Sequence, residues 1–306
     1  MKHKLALSLG PILFFWSKKQ VLDFYQQMID QPLNTIYLGE SICSRRQEMR
    51  FDDWFGLAKD IACAGKKVVF SSQVLLESES DLKRLRKLVD QGVFKVEAND
   101  MGAVKLARDH GLTFVAGQTL NIYNEQTLAF FRKLGAVRWV PPIEMPATKL
   151  TTILNETTNI DCEVFGWGKL PLAFSSRCFT ARYYNLKKDS CEFKCQEHPD
   201  AITVNTRDGQ SFLTINGIQT MSANCHSLIC HYQQMEALGI KLLRLSPQSQ
   251  HMIEVIQIHH AVINGQLAIG DALTQLKSFA EHALIDGYWQ GQPGIAAIEE
   301  CHYATS

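Results

Sequence analysis

Cysteine side chains grouped in the second half of the chain, together with one far upstream, have the type and spacing to bind a metal or a cluster. Cys178, Cys191 and Cys195 lie within 18 residues, and Cys43 precedes Cys178 by 135 positions. Thiolates are soft ligands that bind zinc and iron–sulfur clusters. The four cysteines therefore suit either centre.

The spacing favours an iron–sulfur cluster over zinc. Twelve residues separate Cys178 from Cys191 and three separate Cys191 from Cys195, so two zinc knuckles with cysteines three positions apart are absent. A loop with three cysteines and one distant cysteine is common for a cubane cluster. We expect a 4Fe-4S cluster bound by Cys43 and the three grouped cysteines. The alternative without metal is four buried thiols, since a free cysteine behaves as a small hydrophobic residue.

Composition describes a globular protein without a bias toward nucleic acid. The 306 residues are 46% hydrophobic, enough for one large domain or two ordinary ones. Lys plus Arg equals Asp plus Glu at 31 each, so no net field attracts nucleic acid or anionic membranes. The apolar run from Leu5 to Trp16 is too short to span a bilayer. Nine cysteines form no even disulfide framework, which favours a cytoplasmic location.

Short apolar runs of strand length alternate with segments of helical periodicity. The helical stripes include Val21, Phe24, Tyr25 and Met28, spaced i, i+3, i+4, i+7. Eight strands are predicted, at Lys4–Leu9, Thr35–Leu38, Lys67–Ser71, Phe94–Glu97, Thr113–Gly117, Val137–Val140, Cys162–Phe165 and Lys241–Leu245.

This alternation predicts an α/β fold, a single (β/α)8 TIM-like barrel. An open doubly wound sheet is the alternative, but no Gly-x-Gly-x-x-Gly follows the first strand. We place the barrel at residues 1–290 and a flexible C-terminal tail at residues 291–306.

One long segment after the seventh strand interrupts the alternation of strands and helices. More than 50 residues separate that strand from a helix predicted near Asn224–Leu238, and they contain the three grouped cysteines. A β-hairpin is predicted between Ala201–Val204 and Ser211–Ile215, across Asp208-Gly209. Long loops in compact domains are usually functional, and we assign residues 175–222 as the iron–sulfur loop.

The barrel gives a reason why distant cysteines should meet. Cys43 follows the second strand and Cys178 follows the seventh, so both lie in loops that leave the carboxyl ends of strands. These loops share one face of a barrel, the face that carries active sites.

Arginines near strand ends or cluster loops are candidates for binding a carboxylated substrate, because a planar guanidinium pairs with carboxylates in a bidentate manner. Ordinary ion pairs are the alternative. The candidates are Arg45, Arg46, Arg177, Arg182 and Arg244.

Other polar residues are weaker candidates. Glu97 and Glu163 lie in strands and could act as acid or base, although the sequence assigns neither a partner. His198 could donate a hydrogen bond to a cluster sulfur. Cys225 and Cys230 are interpreted as core residues of the predicted helix, and Cys301 as incidental.

The sequence also resembles the collagenase-like peptidase (U-type) superfamily, and within it a branch of oxygen-independent ubiquinone biosynthesis. The resemblance covers nearly the whole chain, to about residue 290. It is carried by Gly39-Glu40-Ser41-Ile42-Cys43-Ser44-Arg45-Arg46, Glu163-Val164-Phe165, Leu170-Pro171-Leu172-Ala173, Arg177-Cys178-Phe179-Thr180-Ala181-Arg182, Asn216-Gly217-Ile218-Gln219-Thr220-Met221-Ser222, Arg244-Leu245-Ser246-Pro247-Gln248 and Gly287-Tyr288-Trp289.

The resemblance implies a barrel-like fold and a 4Fe-4S cluster on Cys43, Cys178, Cys191 and Cys195. It implies a heterodimer with a homologous UbiU-like subunit, and hydroxylation of the ubiquinone precursor ring without O2. Prephenate is the implied oxygen donor.

The chain departs from the peptidase branch of that superfamily. That branch has a His-Gly pair and a further cysteine after the seventh strand, where this chain has Trp167-Gly168 and then Lys169-Leu170-Pro171-Leu172. The sequence assembles no nucleophile and base motif, so peptidase activity is disfavoured. The alternative from another class is a scaffold subunit, in which a cluster or zinc only holds the long loop in shape.

Overall fold

The computed structural model describes residues 4–301 and contains a closed barrel of eight parallel strands. The barrel order is β1-β2-β3-β4-β5-β6-β7-β11, and β11 closes it by pairing with both β7 and β1. The eight barrel strands are β1 (Ala6–Leu9), β2 (Thr35–Leu38), β3 (Lys67–Ser71), β4 (Lys95–Ala98), β5 (Phe114–Ala116), β6 (Ala136–Trp139), β7 (Asp161–Phe174) and β11 (Leu242–Leu245). The TIM-like barrel prediction is confirmed, with each predicted strand present.

Helices follow the barrel strands and cover the outside of the barrel. Val21, Tyr25 and Met28 of the first helix are buried, which is the stripe that its sequence indicated. The helices are α1 (Lys18–Ile29), α2 (Phe51–Cys63), α3 (Glu79–Asp90), α4 (Met101–Asp109), α5 (Glu125–Lys133), α6 (Ala147–Glu156), α7 (Phe179–Tyr183), α8 (Tyr232–Ala237), α9 (Met252–Ile263) and α10 (Ile269–Phe279).

Strand β7 runs beyond the barrel and starts an antiparallel extension. Its second half pairs with β10 (Gln219–Ser227), which pairs with β9 (Ser211–Asn216), which pairs with β8 (Ile202–Asn205). Ile202 lies opposite Ile215, so the predicted hairpin is present. The short strand β12 (Leu284–Ile285) pairs with Cys225 and His226 of β10, on the edge opposite β7.

The helix predicted near Asn224–Leu238 is wrong over its first half. Cys225 and His226 lie in β10, where they pair with Lys169 and Gly168 of β7, and only Tyr232–Ala237 is α-helical. The strand forms because β7 and β12 offer partners on both sides. Those partners are remote in sequence, so local patterns did not reveal them.

Residues after Gly291 contact the barrel as far as the structure describes them. Ile298 is 5% exposed and its N–H donates to the Leu284 carbonyl at 2.9 Å. Cys301 forms a disulfide with Cys230, with the Cα atoms 5.2 Å apart. Cys301 therefore has a bonded partner, contrary to its interpretation as incidental. Residues 302–306 of the predicted tail lie outside the described residues.

Two glycines explain how β7 can bend out of the barrel. A Cβ on Gly166 would lie 2.0 Å from Leu243 Cδ1, so the close approach of β7 and β11 requires glycine there. Gly168 has a φ of +121°, a conformation that favours glycine.

We expect Gly166→Ala to lower the free energy of unfolding by about 1–3 kcal/mol, because the added methyl overpacks the β7–β11 contact. Denaturant unfolding followed by circular dichroism measures the change. The matched control is Gly270→Ala in α10, where a Cβ meets no heavy atom within 4 Å. That substitution should raise the free energy by about 0.5–1 kcal/mol. Equal effects of the two changes would contradict the packing argument.

Candidate functional site

The four cysteines of the predicted cluster lie in two segments at the carboxyl ends of β2 and β7. Cys43 is in the loop between β2 and α2, and Cys178 is the N-cap of α7. Cys191 directly follows one short 3-10 helix, and Cys195 lies in the next. All four are free thiols, with Cys178 half-buried and the other three buried.

Three of these thiols interact electrostatically, so their side chains are close. Burial is the largest influence on Cys43 and raises the pKa of its thiol, and a charge on Cys178 would raise it further. Burial likewise raises the pKa of Cys195, which also feels Cys178 and Cys43. The loop from residue 43 and the segment 178–195 therefore bring cysteines together, as expected for loops on one barrel face.

Arg46 is the cation beside these thiols. Its side chain is 1% exposed, its Nη2 donates to Asn216 Oδ1 at 2.6 Å and its Nη1 donates to the Leu13 carbonyl at 3.1 Å. Its positive charge lowers the pKa of Cys195 and opposes the larger effect of burial. A fixed guanidinium at this place favours thiolate, the form that binds metal.

Arg45 ties the two cysteine segments together from the outside. Its Nη2 donates to the Asp189 carbonyl at 2.8 Å, and its Nη1 lies 3.3 Å from the Asp189 carboxylate. Phe193, at the turn between Cys191 and Cys195, has a φ of +54° and packs on Phe15 with ring centroids 5.7 Å apart. These contacts fix where the last two cysteines lie.

The donor set fits an iron–sulfur cluster. Four unpaired thiols are the usual ligands of a cubane. The Ala181 N–H donates to Cys178 Sγ at 3.3 Å, and the buried Nε atoms of Arg45 and Arg46 have no hydrogen-bond acceptor within residues 4–301. N–H groups directed at thiolates and sulfides stabilise such clusters.

A single metal ion needs at least three ligand atoms arranged around one point. Within the described part of the chain, no group of three or more His, Cys, Asp or Glu side chains is placed to hold one ion. Nor does any described helix have the length and apolar character needed to cross a membrane.

Inside the barrel lies a buried network of charges that the sequence did not resolve. Glu163 is fully buried and accepts hydrogen bonds from Ser8 Oγ and Arg244 Nε at 2.8 Å, and from Tyr37 Oη at 2.5 Å. Arg138 Nη1 lies 3.2 Å from the same carboxylate. Sequence reasoning identified Glu163 and Arg244 separately but did not pair them.

Opposing effects act on the pKa of Glu163. Burial raises it, but the charges of Arg244 and Arg138 and the hydrogen bond from Tyr37 outweigh burial and lower the pKa overall. Arg244 also pairs with Glu97, whose Oε1 lies 2.7 Å from its Nη1. Both glutamates are thus engaged by Arg244.

The barrel mouth contains buried polar atoms without partners. A small cavity of about 30 Å³ lies above Arg244 and Phe165, and an adjoining cavity of about 300 Å³ shares Val74 and Phe174 with it. Arg244 Nη2, Ser41 Oγ and Gln118 Oε1 line the small cavity, are buried, and have no hydrogen-bond partner within residues 4–301. A ligand with a carboxylate and a hydroxyl group could satisfy these atoms.

The other candidates lie outside the buried site. Arg177 and Arg182 are exposed on the cysteine-bearing segment. His198 accepts from or donates to Tyr184 Oη at 2.6 Å rather than to a cysteine. Sequence reasoning missed Ser41 and Gln118, although each follows a barrel strand, because polar residues at strand ends are common.

Comparison with known proteins shows a family match and several distant relatives. The model of peptidase family U32 matches residues 17–298. Over 116 residues, the chain is 26% identical to tRNA hydroxylation protein P of Escherichia coli K12. This alignment covers 37% of this chain and 25% of that protein. An uncharacterized protease of Methanocaldococcus jannaschii is 28% identical over 174 residues, covering 53% of this chain and 42% of the relative.

A solved structure of a U32 peptidase aligns with 81% of this chain and 95% of its own, at 14% identity and a TM-score of 0.45. The chain spans between a quarter and about two fifths of the length of the curated relatives it matches. The family match extends over nearly the whole of the described barrel and its cysteine segment. The chain therefore belongs to peptidase family U32.

Proposed function

We propose that this chain is a UbiV-like iron–sulfur subunit that, with a homologous UbiU-like partner, supports hydroxylation of the ubiquinone precursor ring without O2. The observation that carries the proposal is that the free thiols of Cys43, Cys178 and Cys195 influence one another beside Arg46, with the free thiol of Cys191 on the same segment as Cys195. The name of the Escherichia coli relative, a tRNA hydroxylation protein, supports a hydroxylation role within the same family.

In this proposal Cys43, Cys178, Cys191 and Cys195 hold a 4Fe-4S cluster. When bound, the cluster supplies one-electron transfer, since four protein thiolates leave no iron open for a substrate. Arg46 would neutralise thiolate charge, and its hydrogen bonds to the Leu13 carbonyl and Asn216 Oδ1 hold it beside Cys195. Arg45 fixes Asp189 beside Cys191.

The barrel mouth would bind the oxygen donor, proposed to be prephenate. Arg244 Nη2 would donate to a carboxylate, with its guanidinium oriented by Glu163 and Glu97. Gln118 Oε1 would accept a hydrogen bond from the hydroxyl group, Ser41 Oγ would donate to the hydroxyl or to the second carboxylate, and Phe165 and Phe174 would contact the apolar ring. The enclosed polar atoms are held in place by the barrel, which lowers the reorganisation needed on binding.

Turnover of the purified heterodimer tests this proposal. Anaerobic mixtures would contain the precursor phenol and prephenate, with the hydroxylated ring measured by mass spectrometry. We expect product only with both subunits, the cluster and prephenate present. Product formed at the same rate without prephenate, or by the partner alone, would contradict the proposal.

Ser41 and Gln118 allow a sharper test of the mouth. Ser41→Ala and Gln118→Leu should each raise the KM for prephenate by roughly fivefold or more, because each removes one hydrogen bond to the donor. Gln210→Leu, on the exposed turn of the hairpin, is the matched control and should leave KM unchanged. Equal KM values in all three variants would place the donor elsewhere.

A scaffold role is the second candidate, and one set of contacts favours it. Lys188 Nζ lies 2.5 Å from Glu77 and Arg45 binds Asp189, so the cysteine segment is tied to the barrel loops at several points. A metal could serve only to complete that tie. Turnover that is independent of the redox state of the cluster would favour the scaffold, and turnover only on reduction would favour electron transfer.

A further inference from the structure

Another cavity lies beside the barrel mouth and is lined by the loop that carries Cys43. It measures about 380 Å³ and opens between the β2–α2 loop, the β3–α3 loop and helix α3. This volume is within the range of small-molecule sites in proteins. The mouth cavity lies on the other side of Ser41 and Ile42, so the two are separate.

Aromatic side chains form the apolar floor of this cavity. Phe51 and Phe70 stack with ring centroids 6.5 Å apart and an interplanar angle of 24°, and Trp54 lines the cavity beside them. Leu85 and Leu88 of α3 form the facing wall. A slot with aromatic and leucine walls suits a planar ring.

Cations outnumber anions among the lining residues. Arg46, Arg50, Arg84 and Lys87 face two acidic residues, Glu40 and Asp81. Glu40 lies 3.8 Å from Arg46, and Asp81 pairs with Arg84, so Arg50 and Lys87 are the lining cations that these two acids leave over. Lys87 also lies 3.4 Å from Asp52, an exposed residue outside the lining. Lys87 Nζ lies 4.5 Å from the centroid of the Phe51 ring, so a cation stands directly at the aromatic floor.

Gln73 Oε1, which lines this cavity, is buried and has no hydrogen-bond partner within residues 4–301. Buried polar atoms are normally paired, and an amide oxygen is an acceptor. A ligand that carries an N–H or O–H group would satisfy it.

We propose that this cavity is a second binding site, for a planar aromatic molecule that carries one anionic group. The ring would lie between Phe51, Trp54 and the leucines of α3. The anionic group would lie at Arg50 and Lys87. Binding at this site needs no cluster on the cysteines, so it can be tested independently of the proposed hydroxylation role.

Two dyes of matched shape test the charge requirement. The probe is 1-anilinonaphthalene-8-sulfonate, and N-phenyl-1-naphthylamine has the same rings without the sulfonate. Excitation of tryptophan should transfer energy to a bound dye, because Trp54 lines the cavity. We expect the anionic dye to bind at least about tenfold more tightly than the neutral dye, because only its sulfonate can contact the lining cations. Equal affinity for the neutral dye would overturn the anionic class.

Variants localise the binding. Arg50→Gln and Lys87→Gln should each weaken the anionic dye by roughly threefold and together by about tenfold, the range for exposed ion pairs. Lys59→Gln is the matched control, since Lys59 also stands over a phenylalanine of α2, Phe55 at 4.7 Å, but does not line the cavity. Trp54→Phe should remove most energy transfer and leave the dye bound.

Competition experiments show which class of anionic aromatic ligand the cavity binds. Displacement of the dye by 2-naphthoate would indicate an aromatic carboxylate, and displacement by adenosine monophosphate would indicate a nucleotide. Either result supports the site, provided that Arg50→Gln and Lys87→Gln weaken the competitor as well. Dye affinity that is the same in the double variant and in Lys59→Gln overturns it, because the dye would then bind elsewhere on the surface.

Discussion

Replacing Cys195 with alanine is expected to lower the iron and sulfide content of the anaerobically purified chain by at least about tenfold, a larger loss than the removal of an outer-sphere partner. Cys195 is buried, lies beside Arg46 and interacts with Cys43 and Cys178, so it lies within the proposed site. Alanine at Cys43, Cys178 or Cys191 should have the same effect. Iron and acid-labile sulfide per chain are the quantities to measure.

Two other cysteines provide controls for that loss. Cys162 is buried in β7, and Cys63 is exposed at the end of α2. Cys162→Ala controls for removal of a buried thiol, and Cys63→Ala controls for handling and oxidation. Both should keep the iron of the unaltered chain. Full iron content in all four variants of the predicted ligands would show that the cysteines hold no cluster.

Glu163→Gln is expected to lower the free energy of unfolding by about 3–5 kcal/mol, the cost of breaking a buried ion pair by removing one partner. The substitution leaves Arg244 and Arg138 facing a neutral amide inside the barrel. Glu254→Gln, at a position half exposed to solvent, is the control and should change the free energy by less than about 0.5 kcal/mol. Denaturant unfolding measures both.

A double-mutant cycle separates the pair from the rest of the network. Arg244→Met alone leaves Glu163 and Glu97 without their shared cation. The double variant Glu163→Gln with Arg244→Met should lose about 1–3 kcal/mol less than the sum of the single losses, because neighbouring partners couple. Additive losses would mean that the two residues stabilise the barrel independently.

The lowered pKa of Glu163 also predicts how the free energy of unfolding changes as the pH falls. Since the pKa of Glu163 is lowered in the folded protein, its contribution is fully present above the unfolded pKa of about 4.3 and is lost as the pH falls through the folded value. Glu163→Gln should therefore flatten the fall in stability below that pH. An unchanged acid slope would mean that other carboxylates dominate it.

Much of the barrel could be predicted because its signals are local. Each barrel strand is a short apolar run, and the stripe of Val21, Tyr25 and Met28 marks the helix that covers it. The extension was harder, since the predicted seventh strand ends at Phe165, before Gly166 and Gly168. Both are required by contacts with Leu243 and Ser246, which only the folded chain brings near.

The candidate site divides in the same way. The cysteine spacing and the strand count together predicted that Cys43 and Cys178 would lie on one face, and the structure places both at that face. Sequence patterns could not pair Glu163 with Arg244 or identify Ser41 and Gln118 as unsatisfied. Those properties depend on burial and on side chains that come from different strands.

Metal analysis of the unaltered chain, purified without oxygen, tests the central claim most directly. Iron, sulfide and zinc would be quantified on one preparation and an ultraviolet–visible spectrum recorded. A cubane on four thiolates predicts about four irons and four sulfides per chain, with a broad absorption band near roughly 400 nm. One zinc per chain without colour, or no metal, would contradict an iron–sulfur role.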